Sequence, residues 1–291
     1  MKILNSFPPY NMFGLDEQNY KNSKVVVVPV PYDSTTTYKA GTRHGPHAII
    51  DASRNIELYN EESNTDISKV GIYTTEEIAP DFSSPENMVK RIESEVTPII
   101  DDGKFPILLG GEHTITLGSI NALANKGGNF TMLHFDAHSD SRNSFMGSKY
   151  CHACVVARAK ELCKCYSVGV RSIDEESARN NDGILYMKDM HKMGLNDVIS
   201  TIMNDTEDSI YLSVDFDVLN PSEMPSVGTP EPDGMSFYHL KEVLKEVLSN
   251  KKVLGMDFVE LNPIPGFIAP DYLAAKLVYL SVGYVFSKTD V

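Results

Sequence analysis

Positive charge is in short supply. Across 291 residues, 26 Lys and Arg face 40 Asp and Glu, a formal net charge of −14. Such a chain repels phosphate backbones, which speaks against a nucleic-acid partner, and it favours the approach of a small cation. Long apolar runs are missing too. The most apolar C-terminal stretch, residues 272–286, is too short for a bilayer span and carries Lys276 near its middle. The opening MKILNSFPPYNMFG has no continuous apolar core of the kind a secretory signal needs. A soluble, cytoplasmic protein with no membrane partner is therefore expected. Cysteine is sparse, with only Cys151, Cys154, Cys163 and Cys165. Their C-x2-C and C-x-C spacings are compatible with zinc. The first pair, however, falls at a helix start and the second on a strand, so reduced thiols without a metal are the expectation. Repeats, linkers and low-complexity tracts are not seen, and residues 1–291 read as one domain.

The remainder is an ordinary globular balance, 42% hydrophobic and 23% charged. Short apolar runs alternate with helical patterns. Val25-Val26-Val27-Val28 precedes a helix over residues 45–58, and the run 105–109 precedes a helix over 115–124. The run 130–135 opens the central motif. A helix over 196–203 precedes the strand 210–214, and the amphipathic helix 237–248 precedes the strand 253–259. A last helix begins near Pro270-Asp271. Continuous apolar strands separated by helices predict an α/β fold with a mostly parallel sheet covered on both faces. Ligands in such sheets bind beyond the carboxyl ends of the strands.

Three of those ends hold polar clusters. LHFDAHSDSR places Asp136, His138 and Asp140 at alternate positions, which in an extended chain share one side. Ser213-Val214-Asp215-Phe216-Asp217 repeats the device with two carboxylates. Gly110-Gly111-Glu112-His113 delivers a histidine after a glycine pair that permits a sharp turn. Four carboxylates packed together cost about several kcal/mol each unless cations balance them. Two divalent ions would do so, and oxygen-rich ligands with two imidazoles suit manganese, with cobalt and nickel as the other ions. A lone D-x-D is more often a solvated loop or a salt-bridge partner; the three segments in combination point to a two-metal site.

Through these residues the chain resembles the ureohydrolases, the family of arginase, agmatinase, guanidinobutyrase and formimidoylglutamase. GGEHTIT, HFDAHSDSR and SVDFDVLNPS resemble its metal-binding segments, GMDFVELNP its final strand, and PVPYDSTTTYKAGTRHGPHAII the opening of its agmatinase-like members. The resemblance implies a three-layer α/β/α sandwich and a homo-oligomer, trimer or hexamer. It implies one manganese held by His113, Asp136, Asp140 and Asp215, and a second held by Asp136, His138, Asp215 and Asp217. It also implies a hydroxide bridging the ions.

Paired metals lower the pKa of bound water and supply a nucleophile strong enough for a guanidinium carbon. Asp140 is expected to relay a proton toward the leaving nitrogen, with urea and a primary amine released. Glu260 matches the family's guanidinium-binding carboxylate, and a carboxylate fork accepts two parallel N–H bonds. His152 resembles its proton-shuttling histidine, while His134 supports the ligands from behind. No chemistry is assigned to His44, His47, His191 or His239. The stretch 141–148 lacks the asparagine and serine arrangement by which arginase holds an α-amino acid, so the substrate expected is a small cationic guanidine, agmatine first. Asp174 and Glu175 are candidate outer contacts for its ammonium. Val227, where the family often carries a small residue, is bulky enough to reshape the guanidinium pocket, which leaves guanidinobutyrate or another linear guanidine open as the substrate. Retention of the six ligands with His152 and Glu260 argues against a non-catalytic relative. The complete second metal set argues against a one-zinc deacetylase.

Overall fold

A computed structural model describes residues 7–62, 65–180 and 182–286. The strands in chain order are β1 (Val25–Val30), β2 (Tyr59–Asn60), β3 (Thr65–Asp66), β4 (Ile72–Thr74), β5 (Phe105–Gly110), β6 (Thr131–Phe135), β7 (Lys164–Val170), β8 (Ile184–Tyr186), β9 (Ser209–Asp215) and β10 (Lys252–Val259). β2 and β3 form a small antiparallel pair. The other eight form one all-parallel sheet in the order β4-β1-β5-β10-β9-β6-β7-β8.

The valine run explains the layering. Successive strand residues face opposite sides, so Val25 and Val27 enter one core and Val26, Val28 and Val30 the other. The first core is closed by α1 (Gly45–Ser53), α7 (Leu195–Asp205), α8 (Phe237–Asn250) and α9 (Ala269–Phe286), through residues such as Ile49, Ile202, Leu244 and Val278. The second is closed by α2 (Pro85–Asp101), α3 (Thr116–Ala124) and α4 (Val155–Ala159), through Ile92, Ile120 and Val155. Short helices α5 (Glu175–Asn180) and α6 (Met187–Met190) flank β8. The α/β/α sandwich expected from the sequence is the fold found. α9 is the apolar C-terminal stretch, and nearly all of its 274–284 portion is buried. Among the described residues no helix is long and apolar enough to cross a membrane.

α1 stops at Ser53, earlier than expected, and α2, β4 and β8 add to the elements expected from the sequence pattern. α2 does carry a start signal: Ser84 accepts the Asn87 N–H at 3.1 Å and Pro85 occupies the first turn.

Register positions the site. Leu109, Phe258, Val214 and Phe135 lie side by side across β5, β10, β9 and β6. These four central strands therefore end at one level, and the next residues along the chain are Gly110, Val259, Asp215 and Asp136. Three segments more than twenty residues apart in sequence, and β10 from the far end of the chain, share one edge.

Candidate metal centre

The first aspartate of each D-x motif uses one oxygen to fold its own turn. Asp136 Oδ1 accepts the His138 N–H at 2.5 Å, and Asp215 Oδ1 accepts the Asp217 N–H at 2.7 Å. These are Asx turns, in which a side chain bonds the backbone two residues on, and they explain why the spacing is two. Asp217 Oδ1 accepts the Ala137 N–H at 3.0 Å and ties the two turns together. The second oxygen of each carboxylate faces inward.

His113 Nδ1 lies 3.1 Å from Asp136 Oδ2, 3.4 Å from Asp140 Oδ2 and 3.4 Å from Asp215 Oδ2. His138 Nδ1 lies 2.9 Å from Asp217 Oδ2 and 3.5 Å from Asp136 Oδ1. The structure thus brings all six sequence-predicted ligands together, in two groups that share Asp136. His113, His134, Asp136 and Asp140 form one compact set and Asp136, His138 and Asp217 another. The extended geometry expected for residues 136–140 stops short of its end. Asp140 turns into the left-handed region at φ 44°, which brings its carboxylate back toward His113.

The chemistry of the set favours cations. Burial and then repulsion from Asp136 raise Asp140 well above the usual carboxylate range; burial and Asp217 do the same to Asp215. Burial also acts on Asp136, but three surrounding imidazoles outweigh it and hold that carboxylate well below its ordinary value. Burial pulls His113 and His138 down, yet the carboxylates override it and raise both. His134, fully buried, is lowered by loss of water. His113 Nδ1, His134 Nε2 and Asp136 Oδ2 are buried and make no hydrogen bond among the described residues. Buried polar atoms left so are rare, and here they converge on one point, as ligands of a shared cation do.

A relay behind His113 settles which nitrogen is presented. Ser213 donates its one proton to Asp257 Oδ1 at 2.7 Å, and Tyr211 donates to Asp257 Oδ2 at 2.8 Å. Ser213 can then only accept from His113 Nε2, 2.8 Å away. In the neutral ring the lone pair sits on Nδ1, toward the carboxylates. His134 stands closer than the supporting place expected of it: its Nε2 lies 2.9 Å from Asp136 Oδ2, inside the first compact set, and its Nδ1 lies 3.1 Å from Ser167 Oγ.

The glycine pair has a different reason from the one expected. Neither Gly110 nor Gly111 has a positive φ. A Cβ on Gly111 would stand 2.1 Å from the Tyr32 carbonyl, and one on Gly110 would stand 2.6 Å from a Val259 methyl. Close packing, of backbone against Gly111 and of side chains against Gly110, demands glycine here rather than turn geometry.

Above the cluster opens a cleft of about 300 Å³, walled by Asp140, His152, Asp215, Asp217 and Glu260 among others. Glu260 follows β10 directly, at φ 66°, and its Oε1 accepts the His113 N–H at 2.8 Å. A non-glycine residue held there is a strained feature of the kind found at functional sites. Burial and nearby Glu112 raise its carboxyl. His152 begins the 3-10 turn His152–Cys154, and burial with the positive field of His138 and His113 lowers it to about 4.

Of the outer contacts, Asp174 does line the cleft, where Arg142 approaches it at 3.8 Å, whereas Glu175 pairs with Arg179 on the surface. Val227 does not line the cleft: it is buried in the core opposite Leu261, and Gly228 and Thr229 line the wall. Cys151 and Cys154 lie with their sulfurs 3.2 Å apart beside His152. Sequence reasoning assigns no role to Thr35, Glu112 or Asp257. Each lies inside a recognised motif, and a carboxylate in an otherwise apolar stretch is the available signal for the last two.

The matching family model is described as the Arginase family and covers residues 23–282. An N(1)-aminopropylagmatine ureohydrolase of Synechocystis sp. is 36% identical over 279 residues, spanning 91% of this chain and 90% of that protein. An agmatinase of Pyrococcus horikoshii is 32% identical, spanning 97% of this chain and 98% of that protein. The crystal structure of an agmatine ureohydrolase of Thermoplasma volcanium superposes with a TM-score of 0.88 at 31% identity, covering 97% of this chain and 96% of that one. With its parallel sheet, its cluster of aspartates and histidines and these relatives in agreement, the chain belongs to the arginase family.

Proposed function

We propose that this protein is a ureohydrolase of the agmatinase type, which adds water to a linear guanidinium and releases urea and a primary ammonium. The observation that carries the reading is the meeting of four carboxylates with His113 and His138 at the floor of a cleft that Glu260 and His152 also line. His113, Asp136, Asp140 and Asp215 would hold one divalent ion, and Asp136, His138, Asp215 and Asp217 the other. Manganese is preferred on donor hardness, with cobalt and nickel as substitutes. When bound, such a pair supplies a strong nucleophile from water at neutral pH.

The chain's own groups do the rest. Glu260, anchored through Oε1 by the His113 N–H, takes the guanidinium N–H groups and holds the carbon in place. Asp140 passes a proton toward the leaving nitrogen. His152 brings a proton from solvent to the departing amine at Nε2.

Agmatine is the first substrate. N1-aminopropylagmatine is the second reading, favoured because the Synechocystis relative named for that substrate is the more similar, at 36% against 32% for the Pyrococcus agmatinase. In both cases Asp174, on the cleft wall, is the carboxylate at hand for an ammonium along the chain. The test is urea release by manganese-loaded protein from agmatine, N1-aminopropylagmatine, arginine and guanidinobutyrate. One of the first two is expected to lead in kcat/KM. A lead for arginine would move the protein to another branch, and no urea from any of the four would end the proposal.

A further inference from the structure

We infer that Thr35 is a positioning residue that fixes the tautomer of His152, with Glu112 as its anchor; this rests on the reading of His152 as the proton carrier. Thr35 lies between β1 and α1, Glu112 on the turn after β5, and His152 some forty residues further on. A hydroxyl has one proton to give and two lone pairs. The Thr35 proton goes to Glu112 Oε1 at 2.6 Å. Glu112 is fully buried and receives two further hydrogen bonds, from the Thr35 N–H on Oε2 at 2.6 Å and from the Thr114 hydroxyl on Oε1 at 2.6 Å.

With its proton committed, Thr35 Oγ1 can only accept from His152. It receives the backbone N–H at 3.2 Å and faces ring Nδ1 at 3.1 Å. Nδ1 therefore carries the hydrogen. Nε2, across the ring from Thr35, carries the lone pair of the neutral imidazole.

That is the form a carrier needs. Nε2 takes one proton from solvent, the ring becomes imidazolium with Nδ1–H still held against Thr35, and Nε2 then gives the same proton to the leaving amine. The ring returns neutral in its starting tautomer. Thr35 touches neither the substrate nor the carboxylate cluster in this scheme. Removing its hydroxyl releases the ring to the opposite tautomer, whose Nε2–H cannot accept.

Two variants and two readouts test this. Thr35→Val keeps the shape without the hydroxyl, and Thr35→Ser keeps the hydroxyl. In manganese-loaded protein, Thr35→Val is expected to lower kcat about 10- to 100-fold, part of the ~10²–10⁴-fold a positioned proton carrier contributes. KM and metal content should be unchanged, the pH profile of kcat should shift, and Thr35→Ser should restore both. In zinc-loaded protein with ¹⁵N-histidine, the His152 signals (assigned by their loss in His152→Asn) should report hydrogen on Nδ1 and none on Nε2. Wild-type kcat and pH profile in Thr35→Val, no rescue by Thr35→Ser, or an Nε2–H tautomer in the wild type would each overturn it. Should Thr35→Val fail to fold, Thr35→Ser and the wild-type tautomer still decide. Should wild type hydrolyse no guanidine, the proposed function falls, while the tautomer measurement still tests the Thr35 contact by itself.

Discussion

Asparagine in place of Asp136 would keep an oxygen for the His138 N–H and so keep the turn, but would remove the charge that both halves of the cluster share. Asp136→Asn is therefore expected to fold and to lose at least one of two bound ions, with activity down about 10³-fold or more; elemental analysis of the purified variant measures the loss, and two ions per chain would contradict it. Glu260→Gln separates binding from turnover. Its amide can still accept the His113 N–H, so both ions should stay while kcat/KM falls about 10²-fold or more, as when a single charged contact to the reacting group is lost. Near-normal kinetics in that variant would remove Glu260 from the mechanism. Gly111→Ala tests packing: a methyl group 2.1 Å from the Tyr32 carbonyl forces apart the segments that follow β1 and β5. The expected cost is about 1–3 kcal/mol, read from denaturant midpoints, and unchanged stability would show that the backbone yields freely.

At the scale of an element, α9 combines an almost wholly apolar sequence with one awkward acid in its first turn. Asp271 Oδ1 is buried without a hydrogen-bond partner among the described residues, and burial pushes the carboxyl up to about 6 from an ordinary 3.8. An acid raised on folding costs nothing below about pH 4, where folded and unfolded chains both hold the proton. As pH rises from 4 to 6 the unfolded chain releases its proton first, so stability falls, and above 6 the whole penalty is present. Asp271→Asn should therefore raise Tm more at pH 7 than at pH 4. Equal shifts at the two pH values would mean that the acid is solvated after all. α2 carries the opposite kind of signal, the Ser84 cap ahead of Pro85, and it is readable in the sequence although no functional residue draws attention to it.

For the whole molecule, cations that bind only the folded chain must add to its stability by mass action, about 2.7 kcal/mol at a free concentration a hundredfold above Kd. Removing divalent ions with a chelator should lower Tm by several degrees, and manganese should restore it where sodium or potassium does not. A Tm indifferent to chelator in metal-containing protein would argue against a metal centre built across three strand ends.

The local parts of that centre are legible in the amino-acid sequence, because each is a short-range event. A two-residue spacing lets an aspartate bond the backbone N–H it needs, and an apolar run of valines or leucines makes a strand buried on both faces. Composition, the alternation of strands and helices and the three polar strand ends follow from the chain alone. Tertiary structure decided the rest. β10 inserts between β5 and β9, which sets Glu260 beside His113, and Asp140 leaves the extended form to reach the same histidine. Thr35, Glu112 and His152 meet only because three segments, the furthest pair 117 residues apart, converge at one edge. No periodicity encodes such meetings. They arise from strand order and register, which the whole buried core fixes at once.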